Sequence, residues 1–250
     1  MSSFNAGGIR IAYEDQGDGA PIILVHGFAA SFETNWVAPG WVDRFVGEGR
    51  RVVGLDCRGH GASEKPYEPS AYAGEVMAQD VIDLVDHLGI ERADLMGYSM
   101  GGVIATQLLA RHGSRFDAAI LGGIGASPRP GQDRSEIAAA LESPDRDAGK
   151  TPTANAFRAF AEASGNDLVA LGAIMRAERP PVEDEALAKI ENPVLIAVGE
   201  KDTLAGDPRE LQRKIPGAEL VVVPDRDHLT VVGDSHYQEA VVCFLAEQAR

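Results

Sequence analysis

Residues 95–102 read LMGYSMGG, with Ser99 between Gly97 and Gly101. A short apolar run precedes Ser99 and an apolar helical pattern follows it, which predicts a strand, a sharp turn and a helix. The two glycines relieve the crowding of so tight a turn, so the serine hydroxyl can stay exposed. These features predict a nucleophile elbow. Gly-x-Ser-x-Gly also arises by chance in a chain with 28 glycines. The assignment of a nucleophile therefore also requires a candidate base and a candidate acid further along the chain.

Composition and charge narrow the class of protein and its partners. The 250 residues are 44% hydrophobic and 24% charged, which is ordinary for one globular domain. The net charge of −15 would repel the phosphates of nucleic acids and anionic membrane surfaces. We therefore expect a small-molecule substrate, with neither a nucleic-acid nor a membrane partner. Composition and charge do not predict the oligomeric state.

Cysteines and the N-terminal residues also exclude some classes. Cys57 and Cys243 provide neither a disulfide framework nor metal-ligand spacing, and no residue cluster requires a metal or another cofactor. The N-terminus lacks a basic segment followed by an apolar one, and no apolar run approaches membrane-spanning length. The sequence therefore predicts a cytoplasmic protein without a cofactor.

Apolar strand patterns alternate with helical patterns along most of the chain. Such alternation predicts an α/β fold with a mostly parallel, doubly wound sheet covered by helices on both faces. The predicted strands are residues 9–15, 21–25, 52–55, 93–96, 116–121, 194–198 and 220–223. Ligands bind such sheets at the carboxyl ends of the strands. The residues that follow those ends are His26, Asp56, Ser99, Asp202 and His228.

The strand pattern lapses between residues 127 and 191. This segment predicts three or four short helices and is interpreted as a helical cap insertion. The core would then comprise residues 1–126 and 192–250. Apolar residues at helical spacing, such as Phe157 and Phe160, would either pack the insertion onto the core or form a lid. The pattern leaves both alternatives open.

A serine hydroxyl needs a base that is itself oriented by a third group. His228 is the best candidate base. His26 also follows a strand, but it directly precedes the turn whose backbone we expect to stabilise the oxyanion of the intermediate. The remaining histidines are interpreted as surface or structural residues: His60, His87, His112 and His236. Asp202 follows the next-to-last strand and has the chain order serine, acid, histidine. The rival acids are Glu200, Asp225 and Asp227.

An attacked carbonyl develops a negative oxygen that backbone N–H groups can stabilise. Met100 directly follows the serine at the start of a helix, and Phe28 follows the earlier strand end at His26 and Gly27. The N–H groups of Phe28 and Met100 are therefore the predicted oxyanion-hole donors.

These residues together resemble the α/β-hydrolase superfamily, in particular its serine esterase and lactonase-like branch with a short helical cap. The resemblance spans nearly the whole chain and implies a sheet of the eight-stranded type. It implies Ser99 as nucleophile, His228 as base and Asp202 as its partner. Epoxide hydrolases and haloalkane dehalogenases of this superfamily carry an aspartate at the elbow, which favours ester or lactone hydrolysis here. Asp56 and Arg58 would hold loops beneath the site.

The sequence says less about the substrate. Three apolar residues come after the proposed site residues in the sequence: Trp36 after the turn that carries Phe28, Leu204 after Asp202 and Leu229 after His228. They would either line an acyl pocket or pack in the core. The leading hypothesis is hydrolysis of a small carboxylic ester, lactone or thioester through an acyl-enzyme on Ser99. The same triad would alternatively serve C–C bond hydrolysis, cyanohydrin lysis or cofactor-free perhydrolysis. A non-catalytic small-ligand-binding protein is the third hypothesis.

Overall fold

A computed structural model describes residues 1–126, 133–145 and 149–248. Within these residues eight strands form one sheet. The strands are β1 (Ser2–Ala6), β2 (Ile9–Gln16), β3 (Pro21–Val25), β4 (Arg51–Leu55), β5 (Ala93–Tyr98), β6 (Phe116–Gly122), β7 (Val194–Gly199) and β8 (Glu219–Val223). Their order across the sheet is β1-β2-β4-β3-β5-β6-β7-β8.

Helices connect the strands and cover both faces of this sheet. They are α1 (Trp41–Gly47), α2 (Val76–His87), α3 (Met100–His112), α4 (Arg134–Glu142), α5 (Pro152–Ala163), α6 (Leu168–Arg176), α7 (Asp184–Leu187), α8 (Pro208–Lys214) and α9 (Ser235–Gln248). Strand β2 pairs antiparallel with β1 and β4, whereas the other neighbouring strands pair in parallel. The predicted α/β class with a mostly parallel sheet is therefore confirmed.

The uniformly apolar strands are explained by burial on both faces of the sheet. In β3, Ile22 and Leu24 belong to the core shared with α1 and α9, whereas Ile23 and Val25 belong to the core shared with α2 and α3. All four side chains are fully buried. Alternation of the side chains along a strand directs successive residues into opposite layers, so a central strand of such a sheet is apolar throughout.

The helices α4 to α7 lie between β6 and β7, in the segment that the sequence predicts as an insertion. The predicted start of the insertion at Ser127 lies outside the described residues. Side chains of Asp133, Thr151 and Asp167 accept hydrogen bonds from first-turn N–H groups and begin α4, α5 and α6. Buried apolar residues of these helices join the core that also contains α2 and α3.

Helices of membrane-spanning length and hydropathy do not occur in the described part of the chain.

Candidate active site

The turn between β5 and α3 holds Ser99 in a conformation that few side chains adopt. Its φ is 53° and its ψ is −108°. A Cβ atom on Gly97 would collide with the carbonyl group of Gly101, and one on Gly101 would collide with the carbonyl group of Val25. Both glycines are therefore required for the close approach of β5, α3 and β3. The strained backbone is typical of a residue whose position is determined by function.

Ser99, His228 and Asp202 form one hydrogen-bonded chain. The Nε2 atom of His228 lies 2.9 Å from the Oγ atom of Ser99, and its Nδ1 atom lies 2.7 Å from the Oδ2 atom of Asp202. The Asp202 side chain is fully buried. Its other oxygen, Oδ1, accepts hydrogen bonds from the N–H groups of Leu204 and Ala205 at 2.8 and 2.9 Å. These two bonds leave Oδ2 to accept the Nδ1–H of His228.

Tyr98 positions the loop that carries the histidine. Its hydroxyl donates a 2.5 Å hydrogen bond to the backbone carbonyl of His228, and the two rings lie 5.3 Å apart. Burial raises the pKa of the Tyr98 phenol well above its usual value, so the hydroxyl stays protonated and able to donate. A Cβ atom on Gly122 or Gly123 would press against the Tyr98 ring. This role of Tyr98 was not predicted from the sequence.

The rival carboxylates hydrogen-bond to other groups. Asp227 accepts from the N–H groups of Leu229 and Thr230 at 3.0 and 2.8 Å and is exposed. Glu200 accepts from the N–H group of Asp225 at 3.0 Å. Asp225 itself pairs with Lys201 at 2.8 Å. The geometry therefore brings Asp202, and none of these three, to the His228 ring.

The two predicted oxyanion donors flank the serine. Within the described residues, the N–H groups of Phe28 and Met100 donate no hydrogen bond. The preceding N–H, that of Gly27, donates a 2.9 Å bond to Oδ1 of Asn35. A Cβ atom on Gly27 would lie 3.5 Å from the Cβ of Ser99, so this turn packs directly against the elbow. Asn35 therefore orients the oxyanion turn, a role that was not predicted from the sequence.

His26 connects the oxyanion turn to the loop after β4. Its Nδ1–H donates to the carbonyl of Gly27 at 2.7 Å, and its Nε2 accepts from the N–H of Cys57 at 2.9 Å. Because Nε2 is an acceptor, the ring is the neutral Nδ1–H tautomer. His26 is fully buried, and its ring centroid lies 5.0 Å from that of His60.

His60 makes a second connection between the same two loops. Its Nε2 accepts from the N–H of Ala29 at 3.1 Å, and its Nδ1–H donates to the carbonyl of Arg58 at 3.1 Å. This ring is also fully buried. Of the two predicted roles, surface residue or structural residue, His60 therefore has the structural one. Two neutral imidazoles therefore hold the loop that carries Phe28.

Stability should decrease on acidification because of these two histidines. Burial lowers the pKa of His26 and His60, so below about pH 6.5 the unfolded chain binds protons that the folded chain does not. The free energy of unfolding should be retained above about pH 6.5. Below that pH it should fall by about 1.4 kcal/mol per pH unit for each histidine. Urea denaturation at several pH values measures this slope.

The matched control for the pH experiment is His236→Gln, because His236 is exposed. This variant should keep the wild-type slope. The range should stay above about pH 5.5, since burial raises the pKa of Asp80 and Asp94 and their titration acts in the opposite direction. A free energy of unfolding that is constant from about pH 7 to about pH 5.5 would contradict the account.

Asp56 and Arg58 hold the surrounding loops, as expected. Asp56 accepts from the N–H groups of Phe32 and Ala62 at 2.8 and 2.7 Å. Arg58 forms a buried bidentate ion pair with Asp80, at 2.7 and 2.6 Å. These carboxylates and this guanidinium thus have their partners within the fold.

A cavity of about 790 Å³, here called the larger chamber, opens beside Ser99 and His228. Its wall includes Leu204 and Leu229, and from helix α5 it includes Phe157 and Phe160. The described part of the wall contains no Lys, Arg, Asp or Glu. Its predominantly apolar wall is suited to an uncharged apolar group.

Trp36 does not line this chamber, so of the two alternatives for this residue packing in the core applies and the pocket role does not. The side chain is fully buried in the core beneath the sheet, 6.3 Å from the ring of Trp41 in an edge-on arrangement. The short helical turn Glu33–Val37 directs Asn35 toward the site and its neighbour Trp36 into the core. Adjacent positions of a helical turn point in different directions, so proximity in sequence to the oxyanion turn was a poor guide.

The segment between β6 and β7 contacts the oxyanion turn directly. The Asn166 amide donates to the carbonyl of Ala29 at 2.7 Å, and its oxygen accepts from the N–H of Gly61 at 3.2 Å. The ring of Phe157 packs edge-on against that of Phe28, with centroids 5.7 Å apart. The segment therefore forms part of the wall around Ser99.

The described residues contain no group of three or more His, Cys, Asp or Glu side chains that could hold a metal ion.

Comparison with known proteins connects this geometry to a family. A family model described as alpha/beta hydrolase fold matches residues 20–148. The AB hydrolase superfamily protein YisY of Bacillus subtilis is 32% identical over 247 residues, covering 88% of this chain and 89% of that protein. The enol-lactonase of Burkholderia xenovorans superposes with a TM-score of 0.81 at 25% identity, over 98% of this chain and 100% of that one. An esterase from Exiguobacterium antarcticum gives 0.80 at 25% identity, over 98% and 99%.

Proposed function

The chain belongs to the α/β-hydrolase family, and we propose that it cleaves a small carboxylic ester, lactone or thioester through an acyl-enzyme on Ser99. The observation that carries the proposal is the chain of hydrogen bonds from Ser99 Oγ through the His228 ring to the buried Asp202 carboxylate. A serine, a base and an orienting acid in this arrangement are what acyl transfer requires.

Acylation begins when Ser99 Oγ attacks the substrate carbonyl while His228 Nε2 takes its proton. The negative charge then moves to the carbonyl oxygen, which accepts hydrogen bonds from the N–H groups of Phe28 and Met100. Asp202 stabilises the imidazolium through Nδ1–H. Collapse of the tetrahedral intermediate breaks the bond to the leaving group, which takes the proton from His228 Nε2.

Deacylation repeats these steps with water as the nucleophile. His228 accepts a proton from the water, whose oxygen attacks the acyl carbonyl on Ser99, and the same two N–H groups stabilise the oxyanion. The proton returns to Ser99 Oγ as the acid product leaves. Residues 127–191 act in this proposal as a cap whose apolar residues, including Phe157, enclose the substrate.

A substrate screen tests the proposal. Nitrophenyl esters of increasing acyl length, small lactones and a thioester are incubated with the wild-type protein and with Ser99→Ala. Hydrolysis by the wild type that is lost in the variant supports the proposal. Equal rates of hydrolysis by the two proteins would contradict it.

Product analysis separates the other uses of the same residues. Cleavage of a diketone, release of cyanide from a cyanohydrin, or peracid formation, each without ester hydrolysis, would replace the ester assignment by that reaction. Tight binding of a small molecule without turnover would instead identify a ligand-binding protein.

A further inference from the structure

A second cavity, of about 330 Å³, also borders Ser99. We call it the smaller chamber. It shares Phe28, Ser99 and Phe157 with the larger chamber and is also bordered by Met100. A carbonyl carbon attacked by Ser99 carries two substituents, and each would extend into one chamber.

The two chambers differ in charge. The larger chamber has no Lys, Arg, Asp or Glu in its described wall, whereas the smaller one is bordered by Arg134 and Arg179. No Asp or Glu among the described residues lines the smaller chamber. In a protein with a net charge of −15, the described part of this wall therefore differs from the surface as a whole, because it has guanidinium groups and no carboxylate.

Arg134 has no carboxylate partner within the described residues. Its Nη2 donates to the backbone carbonyls of Ile174 and Ala177, both at 2.9 Å, while its Nε is buried without a partner. Burial lowers the pKa of this arginine, and no anion among the described residues offsets the effect. Backbone carbonyls thus hold the guanidinium in place, and no carboxylate in the described part of the chain compensates its charge. Arg179 has other partners, so Arg134 is the arginine of this wall that is available to bind an anion.

Gln107 supplies a neutral polar group in the same chamber. It projects from α3, two turns beyond Ser99, and only 3% of it is exposed. Its side-chain amide forms no hydrogen bond within the described residues, although it lines the cavity. The amide therefore offers donors and an acceptor to a ligand in this chamber.

We propose that the smaller chamber binds a carboxylate group of the substrate, with Arg134 as its counterion and Gln107 as a hydrogen-bond donor. This inference rests on the proposed function and specifies its substrate class. His228 borders the larger chamber and not the smaller one. Because His228 has to protonate the leaving group, that group occupies the larger chamber. The acyl part therefore carries the carboxylate, as in a hemiester of a dicarboxylic acid.

The test compares two nitrophenyl esters of equal shape. One is the hemiester of adipic acid, and in the other an isopropyl group replaces the free carboxyl group. The wild type should prefer the hemiester in kcat/KM, and the preference should decrease with added salt. In Arg134→Met the ratio of the two kcat/KM values should decrease by a factor of about 10 to 100, because the substitution removes a hydrogen bond between two charged groups.

Two further variants separate recognition from folding. Arg134→Lys keeps the positive charge and should retain a preference for the hemiester, and Gln107→Leu should lower that preference. The neutral ester is the internal reference, because the preference is the ratio of kcat/KM for the two esters and a general loss of folding would lower both values alike. A wild type that hydrolyses the neutral ester without preferring the hemiester would overturn this inference and leave the proposed function intact. Hydrolysis of neither ester would overturn this inference, whereas the proposed function is decided separately by the screen of esters, lactones and a thioester.

Discussion

Ser99→Ala is expected to lower kcat for nitrophenyl acetate hydrolysis by about 10⁴-fold to 10⁶-fold, the range for loss of a serine nucleophile. The variant keeps the oxyanion donors and the chambers but removes the oxygen that would form the acyl bond. Substrate binding should change little, so the decrease in activity should appear in kcat and not in KM. Steady-state release of nitrophenolate measures it.

The fold should tolerate this substitution. Alanine has the same Cβ as serine and would occupy the same backbone conformation, so the thermal midpoint should stay within a few degrees of the wild type. Ser70→Ala, at an exposed serine, is the matched control and should keep full activity. Activity of Ser99→Ala above a tenth of the wild-type value would refute the assignment of Ser99 as nucleophile.

Asp202→Asn is expected to reduce kcat by about 10⁴-fold with little change in KM, as when the acid of a serine triad becomes an amide. The geometry gives the reason. Oδ1 is occupied by the N–H groups of Leu204 and Ala205, so the asparagine Nδ2 would face His228 Nδ1. His228 would then carry its proton on Nε2, where it cannot accept the proton of Ser99. Steady-state kinetics separates kcat from KM.

Asp227→Asn provides the matched control for Asp202. Asp227 is adjacent to His228 in sequence, but its carboxylate bonds to the N–H groups of Leu229 and Thr230. Its replacement should alter kcat less than about threefold, since the ring partner is intact. If Asp227→Asn were as inactive as Asp202→Asn, the acid would have been assigned to the wrong residue.

The edge of the sheet at which the candidate site lies was predictable because parallel strands have a fixed direction. Ser99, Asp202 and His228 each follow a strand, and the carboxyl ends of parallel strands share one edge. Strand β1 was missed, because only Phe4 and Ala6 of its five residues are buried. Gly7 and Gly8, both with positive φ, mark its hairpin turn and were the available signal.

Side-chain directions outside the strands were not predictable. Trp36 and Asn35 are neighbours in one helical turn, yet one packs in the core and the other bonds to the oxyanion turn. Arg134 lies in the segment between β6 and β7, where no strand direction constrains the side chains. Its position beside the smaller chamber depends on how α4 packs against α6, which follows from tertiary contacts rather than from local periodicity.

The central claim is that Ser99 forms a covalent acyl-enzyme, and intact-protein mass spectrometry tests it most directly. After reaction with an organophosphate that mimics the tetrahedral intermediate, the wild type should gain the mass of one phosphoryl adduct, and peptide mapping should locate it on Ser99. Ser99→Ala should gain no adduct. An unmodified wild type, or an adduct on another residue that persists in Ser99→Ala, would contradict the account.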